Sequence, residues 1–483
     1  MNPVLVYKII SYLMVIISGF MTIPAGIALF KGESAEFSGF LTAISIALIN
    51  FVLMLIITRR KKNQNLTAKD GFLFVTLSWV FASLLGSIPY YVSGAIPEFV
   101  NAVFEAMSGL STTGASILTD IESLPSSILF WRSLTHWLGG MGIVVLTVAV
   151  LPLLGIGGLQ LIKAEAPGPT VDKITPRITE TAKILWLIYA GLTFAETILL
   201  MLGGMDLFDA LTHTFGTLAT GGFSTRNSSV GAFNSAYIDW VITAFMVMAG
   251  INFTLHFRFM SGRYRDVLKD TELKAYLGIF AAATILITWN LLGNSYDSIA
   301  DALRFAGFQA ASILTTTGYA SADFEKWPAM SQTVLFMLMF IGGCSGSTGG
   351  GIKVIRIITL LKQGFNEMKY LLHSKGVFAL RINGHPVKKD IIYAISGFFF
   401  LYILMILITT IVAASSGSDL LTSFTSALAT VGNIGPGFGL IGPTDNFSFF
   451  PAYVKWFFCF SMLVGRLELY TVLILLTVTF WRR

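Results

Sequence analysis

Charge is scarce in this chain: only 12% of its 483 residues are charged, while 54% are hydrophobic. A soluble globular domain carries about 25% charged residues, so the composition excludes that class. Cysteine is scarcer, with Cys344 and Cys459 alone, both in apolar segments. That excludes a disulfide framework and a Cys/His metal site, and leaves two ordinary buried thiols. No Ser/His/Asp set and no paired carboxylates recur, so an enzyme has no constellation to rest on. His136, His213 and His256 stand isolated on apolar stretches, where a local hydrogen bond is the usual role. No small-residue cleavage pattern follows the first apolar stretch, which therefore reads as a retained helix.

What the chain does have is long apolar runs. A helix needs roughly 20 apolar residues to cross the hydrocarbon. Ten runs qualify, near residues 4–30, 37–58, 71–92, 131–154, 184–204, 237–257, 275–293, 331–360, 391–414 and 452–481. An even number places both termini on one face. Arg59, Arg60, Lys61, Lys62 and Lys69 crowd one hinge, and taking that hinge as cytoplasmic puts 25 of the 32 basic residues on the same side. The net charge of +6 is accounted for by this asymmetry and needs no nucleic-acid partner. The expected fold class is an all-α polytopic membrane protein lying in the lipid bilayer, with both termini cytoplasmic.

After the first two runs the helices come in pairs, and between the members of each pair lies a shorter amphipathic stretch ending in a Thr/Gly cluster. The four clusters are Leu110-Ser111-Thr112-Thr113-Gly114, Leu218-Ala219-Thr220-Gly221-Gly222, Leu314-Thr315-Thr316-Thr317-Gly318 and Leu428-Ala429-Thr430-Val431-Gly432. Recurrence marks an internal repeat and sets the clusters apart from the Gly/Ser/Thr of ordinary helix contacts. Asn101, Asp209 and Asp419 stand thirteen residues before Gly114, Gly222 and Gly432, and Asp301 lies a turn ahead of the corresponding Phe305. Asn and Asp are good N-caps, so each stretch is expected to begin there as a helix of about 10 residues and to end where Gly breaks it. Such a helix spans about 15 Å, half a bilayer.

Each short helix must therefore dip in and return on the outer side. Irregular backbone at that depth is tolerated where it is buried or lines an aqueous path. Four such strands around one axis turn carbonyl oxygens toward a dehydrated cation, with Thr hydroxyls as further ligands and the helix C-termini adding negative dipole ends. The expected organisation is a helix pair at 1–69 followed by repeats at 70–165, 166–262, 263–375 and 376–483 around one pore. The expected cation ligands are Thr112, Thr113, Gly114, Thr220, Gly221, Gly222, Thr316, Thr317, Gly318, Thr430, Val431 and Gly432.

The chain resembles the TrkH/TrkG/KtrB potassium transporters over nearly its whole length. The resemblance is carried by Phe104-Glu105-Ala106-Met107-Ser108-Gly109-Leu110, Thr220-Gly221-Gly222-Phe223-Ser224, Thr315-Thr316-Thr317-Gly318-Tyr319 and Gly346-Ser347-Thr348-Gly349-Gly350-Gly351. The leading helix pair is similar to the TrkH branch. The resemblance implies uptake of potassium ion as the transported species, with no bound organic cofactor, across a cytoplasmic (inner) membrane. It also implies a homodimer and a separate cytosolic ring of nucleotide-binding regulatory subunits.

Two further features lie below the clusters. Gly343, Ser345, Gly346, Ser347, Thr348, Gly349 and Gly350 interrupt the eighth run, and so polar a break at mid-membrane depth reads as a flexible barrier. The resemblance implies a gate there. A phosphate loop is excluded, since Ile352 stands where its Lys is required and no strand precedes it. A close helix crossing through Gly is the blander reading. Arg466 sits deep in the last run, where it serves either as a positive charge below the filter or as half of a structural ion pair. The rival to a channel is a proton- or sodium-coupled symporter working by alternating access, to which the deep Glu196 would contribute as a relay.

Overall fold

The computed structural model describes residues 3–58, 67–142 and 178–482. The basic residues 59–62 and the stretch 143–177, which includes the end of the fourth apolar run and the boundary between the first two repeats, lie outside it. The described residues are mostly helical. Six helices are long and apolar enough to cross a membrane, or eight spans if each sharply bent pair counts as one, among the described residues.

Helices α1 (Pro3–Lys31) and α2 (Ser34–Thr58) form the leading pair. Glu33, at the turn between them, accepts from the Ser126 and Ser127 amides at 2.9 and 3.1 Å, satisfying the free N–H groups at the start of α5 (Ser126–Gly140). The pair is thereby tied to the first repeat. Helix α3 (Ala68–Val92) opens with a reciprocal Thr67/Asp70 capping box. On α2, Leu48, Ile49, Val52, Leu53, Ile56 and Ile57 are exposed. Such a face is a liability in water and is suited to lipid.

Four short helices dip between spans: α4 (Phe99–Leu110), α7 (Leu207–Ala219), α12 (Ile299–Leu314) and α16 (Leu420–Gly432). Each follows a long helix, namely α3, α6 (Ile178–Leu202), α11 (Thr271–Leu291) and α15 (Lys389–Ala414). They run 12 to 16 residues, somewhat longer than expected. Only one of the expected caps holds: Asp419 accepts from Thr422 N, whereas α4 and α7 begin after Glu98 and Asp206. Asn101 instead accepts from Lys455 Nζ at 2.8 Å, and Asp209 receives the Thr225 hydroxyl and the Arg226 guanidinium.

The second member of the pair does not run straight in the second, third and fourth repeats. Helix α8 (Ala236–Ala249) turns by 99° into α9 (Phe253–Met260), and α17 (Ala452–Arg466) turns by 115° into the short helices from Tyr470 onward. Helix α13 (Ala329–Leu338) gives way to the Gly-rich loop before α14 (Val354–Leu372). The break that the sequence shows in the third repeat therefore recurs in the second and fourth. In the fourth repeat close approach accompanies the break, since a Cβ on Gly465 would meet the Val431 carbonyl, and a Cβ on Gly139 of α5 would likewise meet that of Leu110. A two-residue hairpin, β1 (Arg381–Ile382) with β2 (His385–Pro386), turns through Asn383-Gly384, both at positive φ.

Candidate functional site: a four-strand ring above a glycine loop

The strands leaving the short helices share one backbone pattern. Thr112, Thr220, Thr316 and Asn433 have φ of 56°, 54°, 62° and 53°. Two residues further on, Gly114, Gly222, Gly318 and Gly435 have φ of 80°, 79°, 81° and 96°. A left-handed β-branched residue costs roughly 1–3 kcal/mol and persists where surroundings enforce it, as they do at functional sites.

The same glycines meet around a ring. A Cβ on Gly114 would strike the Gly221 carbonyl and come near Gly435; on Gly222, the Thr317 carbonyl; on Gly318, the Ile434 carbonyl; on Gly435, the Thr113 carbonyl. The contacts close in the order first, second, third, fourth, first, with backbone oxygens between neighbouring strands. A cavity of about 110 Å³ opens beside the ring and is lined by all four of these glycines.

This corrects the expected fourth cluster. Thr430, Val431 and Gly432 lie in the last turn of α16, and Gly432 packs on Ile434 and Tyr402 instead of on a neighbouring strand. The strand that joins the ring is Asn433-Ile434-Gly435, three residues later. The same shift explains the caps, since Glu98, Asp206 and Asp419 stand sixteen residues before Gly114, Gly222 and Gly435. Counting thirteen residues from Asn101, Asp209 and Asp419 places the fourth cluster three residues too early. Asn433 is the signal that was available, because Asn tolerates the left-handed conformation better than any residue except Gly. Of the other expected ligands, Thr112, Thr113, Gly114, Thr220, Gly221, Gly222, Thr316, Thr317 and Gly318 all lie in the ring strands.

Side chains tie the base of the ring together. Thr113 Oγ1 is 2.7 Å from Ser111 Oγ and accepts from Asn433 Nδ2 at 2.9 Å, and Thr317 Oγ1 is 2.7 Å from Thr315 Oγ1. Directly below lies the loop between α13 and α14. Gly350 N donates to Thr316 Oγ1 at 2.7 Å, and a Cβ on Gly350 would meet the Gly432 carbonyl. The loop is pinned from other elements too: Cys344 N donates to Gly250 O at 2.8 Å, Phe253 N to Gly346 O at 3.0 Å, and Lys353 Nζ to Gly349 O. Glu272, at the start of α11, accepts from both Ser345 N and Ile355 N, at 2.8 and 3.0 Å.

Arg466 joins the two levels. Its Nη1 donates to Thr112 Oγ1 at 3.1 Å and to Thr348 O at 2.8 Å, while Nη2 donates to Gly139 O at 2.6 Å and Gly140 O at 3.0 Å. One guanidinium thus contacts the ring, the loop and the end of α5. Glu468, two residues on, pairs with Arg356 of α14. Gly343, Ser345, Gly346, Ser347, Thr348, Gly349 and Gly350 all lie in the loop.

The three histidines have local partners. His136 meets Gly109 O, His213 meets Asp209 O and Ser224 Oγ, and His256 meets Met248 O. At the mouth, Asp120 and Glu122 hold Asn227, and Glu325 accepts from Gly439 N at 2.6 Å. Glu196 is fully buried on α6.

Short half-span helices, a closed ring of carbonyl-bearing strands and a loop beneath it define a multi-pass membrane transport protein of the re-entrant class. Comparison with known proteins agrees: residues 40–481 match the family described as TrkH, cation transport protein, and the chain belongs to that family. It is 41% identical to the Trk system potassium uptake protein TrkH of Salmonella typhimurium, covering 98% of both chains. It is 36% identical to the TrkG protein of Escherichia coli, covering 95% of this chain and 94% of that one. The crystal structure of the potassium transporter TrkH from Vibrio parahaemolyticus superposes with a TM-score of 0.89 at 39% identity, covering all of both chains. The family consists of transport proteins, not enzymes.

Proposed function

We propose that the chain takes up potassium across the bacterial inner membrane, with the ring as a channel-like selectivity filter and the glycine loop as the gate beneath it. The observation that carries this reading is the cyclic closure of Gly114, Gly222, Gly318 and Gly435 through one another's carbonyls. A dehydrated cation on that axis would take its ligands from the carbonyl oxygens of Thr113, Gly221, Thr317 and Ile434 and their neighbours. The side chain of Arg466 holds the loop against the ring base and places a positive charge on the exit side. Potassium is the favoured ion because the curated relatives are named potassium uptake proteins. The repeats divide at 69/70, 165/166, 262/263 and 375/376, with both termini cytoplasmic. The family likeness extends the proposal to a homodimer served by a cytosolic nucleotide-binding ring.

The test is rubidium and sodium uptake into liposomes, with and without a proton gradient. A channel passes rubidium down its own gradient in both cases. Uptake that requires the proton gradient establishes the coupled symporter and overturns the channel mechanism. In the same assay, shortening 343–350 is expected to leave selective flux that no longer closes. A folded deletion protein with less flux than the parent removes the gate assignment.

A further inference from the structure

The four strands of the ring are braced from behind by different chemistry. In the fourth repeat a hydroxyl suffices, with Thr425 Oγ1 donating to Phe438 O at 2.8 Å. In the third, Gln309 Nε2 donates to Ala322 O at 3.1 Å and Ser312 Oγ to Tyr319 O at 2.6 Å. Between the second and third strands the tie is the Tyr319 hydroxyl, which reaches His213 O and Phe223 O.

Between the first and second strands the tie is a buried ion pair. Glu105 of α4 accepts from Arg132 Nε of α5 at 2.5 Å, with side-chain exposures of 0% and 3%. The carboxylate also receives the Ser116 hydroxyl at 3.0 Å and the Ile117 amide at 3.1 Å, on the strand leaving Gly114. Arg132 Nη1 donates to Ser224 O at 2.8 Å, and the guanidinium lies 3.6 Å from the centre of the Phe223 ring, on the strand leaving Gly222. One continuous chain of contacts therefore runs from Ser116 through two opposite charges to Ser224.

A buried ion pair is a poor source of stability, because desolvating both charges offsets most of their attraction. It is a good source of fixed geometry, since each member is held by several directional bonds. Glu105 has three donors and Arg132 has two acceptors and an aromatic face. We propose that Glu105 and Arg132 are the positioning pair that sets ion selectivity, by fixing the spacing of the first and second ring strands. This rests on the reading of the ring as a filter. Without the pair the two strands move apart independently, the carbonyl cage loses its preferred size, and sodium is accepted beside potassium.

Arg132→Lys separates positioning from charge. Lysine keeps the cation beside Glu105 but lacks the second arm that reaches Ser224 O and the plane that stacks on Phe223. The expected result is a rubidium-over-sodium uptake ratio lowered about tenfold in folded protein. An unchanged ratio overturns the proposal. Arg304→Lys is the control, because Arg304 pairs with Asp239 at 3.1 Å at a partly buried site outside the ring strands. It is expected to lower the melting temperature and leave the ratio alone; a drop as large as that of Arg132→Lys reduces the pair to general structural support. Should Arg132→Lys not fold, Ser116→Ala carries the test, with a drop of about threefold expected and no drop overturning the proposal. Gly222→Ser, measured in parallel, tells the two failures apart. A ratio changed by Gly222→Ser but by neither brace variant removes the brace alone, and a ratio changed by none removes the filter itself.

Discussion

The ring and the loop beneath it are both rich in glycine, yet they use it in opposite ways. In the ring, glycine lies at positive φ with a neighbour's carbonyl where a Cβ would be, and each strand is bonded to the short helix it follows. Every strand is thus over-determined by its own repeat. The loop is bonded mainly to foreign elements: Gly250, Phe253, Glu272, Thr316 and Arg466 each contribute one or two hydrogen bonds. Each of those bonds is worth about 1 kcal/mol net, and bonds to charged groups somewhat more. A segment held this way leaves its place when a few contacts are exchanged, whereas the ring cannot move one strand without displacing the next. Selectivity asks for the rigidity of the ring and gating for the mobility of the loop.

The sharpest way to break that comparison is at the fourth strand. Gly435→Ala adds a Cβ at a φ of 96°, against the Thr113 carbonyl. It is expected to cut the rubidium-over-sodium ratio by at least about tenfold, given a left-handed penalty of about 1–2 kcal/mol plus the clash. Gly432→Ala falls in the last turn of α16, beside the yielding end of Ile434. Its ratio should stay within about twofold of the parent, since Ala suits a helix better than Gly does. The reverse outcome in uptake measurements restores the register that Thr430-Val431-Gly432 suggests.

Arg466 probes the seam between ring and loop, with a smaller effect. Arg466→Ala removes four hydrogen bonds and a charge, and basal flux per folded protein is expected to rise several-fold. Arg466→Lys keeps the charge and cannot span Thr112, Thr348, Gly139 and Gly140 together. If the charge alone closes the exit, Lys matches the parent. If the latch matters, Lys gives flux between parent and Ala, which is the outcome expected here. Single-channel recording distinguishes longer openings from larger current.

Glu272 tests the far side of the loop. Glu272→Ala frees the Ser345 and Ile355 amides and is expected to raise basal flux about two- to threefold without changing selectivity. Glu272→Gln retains an acceptor oxygen and should change flux less. A changed ion ratio in either variant denies the separation of filter from gate.

Much of this was legible in the sequence because the repeats are written in periodicity. Among the described residues, six of the ten apolar runs coincide with helices long enough to span and two more with bent pairs, and the Thr/Gly clusters of the first three repeats lie in the ring strands. Glycine, by contrast, does not announce whether it sits in a helix or beyond one, so Gly432 and Gly435 were indistinguishable without the cap-to-ring spacing. The breaks at Gly250 and Leu467 were hidden for a related reason, since an apolar run shows hydrophobicity and not direction. The ties that matter most, Glu105 to Arg132 and Arg466 to Thr348, join residues 27 and 118 positions apart and leave no periodic trace.

The smallest expected effect belongs to the cap that the sequence placed correctly. Asp419 accepts from the Thr422 amide at 3.0 Å and from its hydroxyl, and these bonds hold the carboxylate below its usual range. A group whose folded pKa is depressed contributes stability above its unfolded pKa of about 4 and loses it as pH falls through the folded value. Asp419→Ala should therefore cost about 1 kcal/mol near neutral pH, seen as a lower melting temperature in detergent, with uptake and ion ratio unchanged. Below about pH 4 the melting curves of parent and variant should converge. Asn101→Ala, at a position that caps no helix, loses instead the bond from Lys455 Nζ at 2.8 Å and the bond to Glu98 Oε2 at 2.9 Å, and is expected to cost about 1–2 kcal/mol near neutral pH, seen as a lower melting temperature. A melting difference between parent and Asp419→Ala that persists undiminished well below about pH 4 would contradict the assignment of Asp419 as the cap, and with it the sixteen-residue spacing that places Gly435 in the ring.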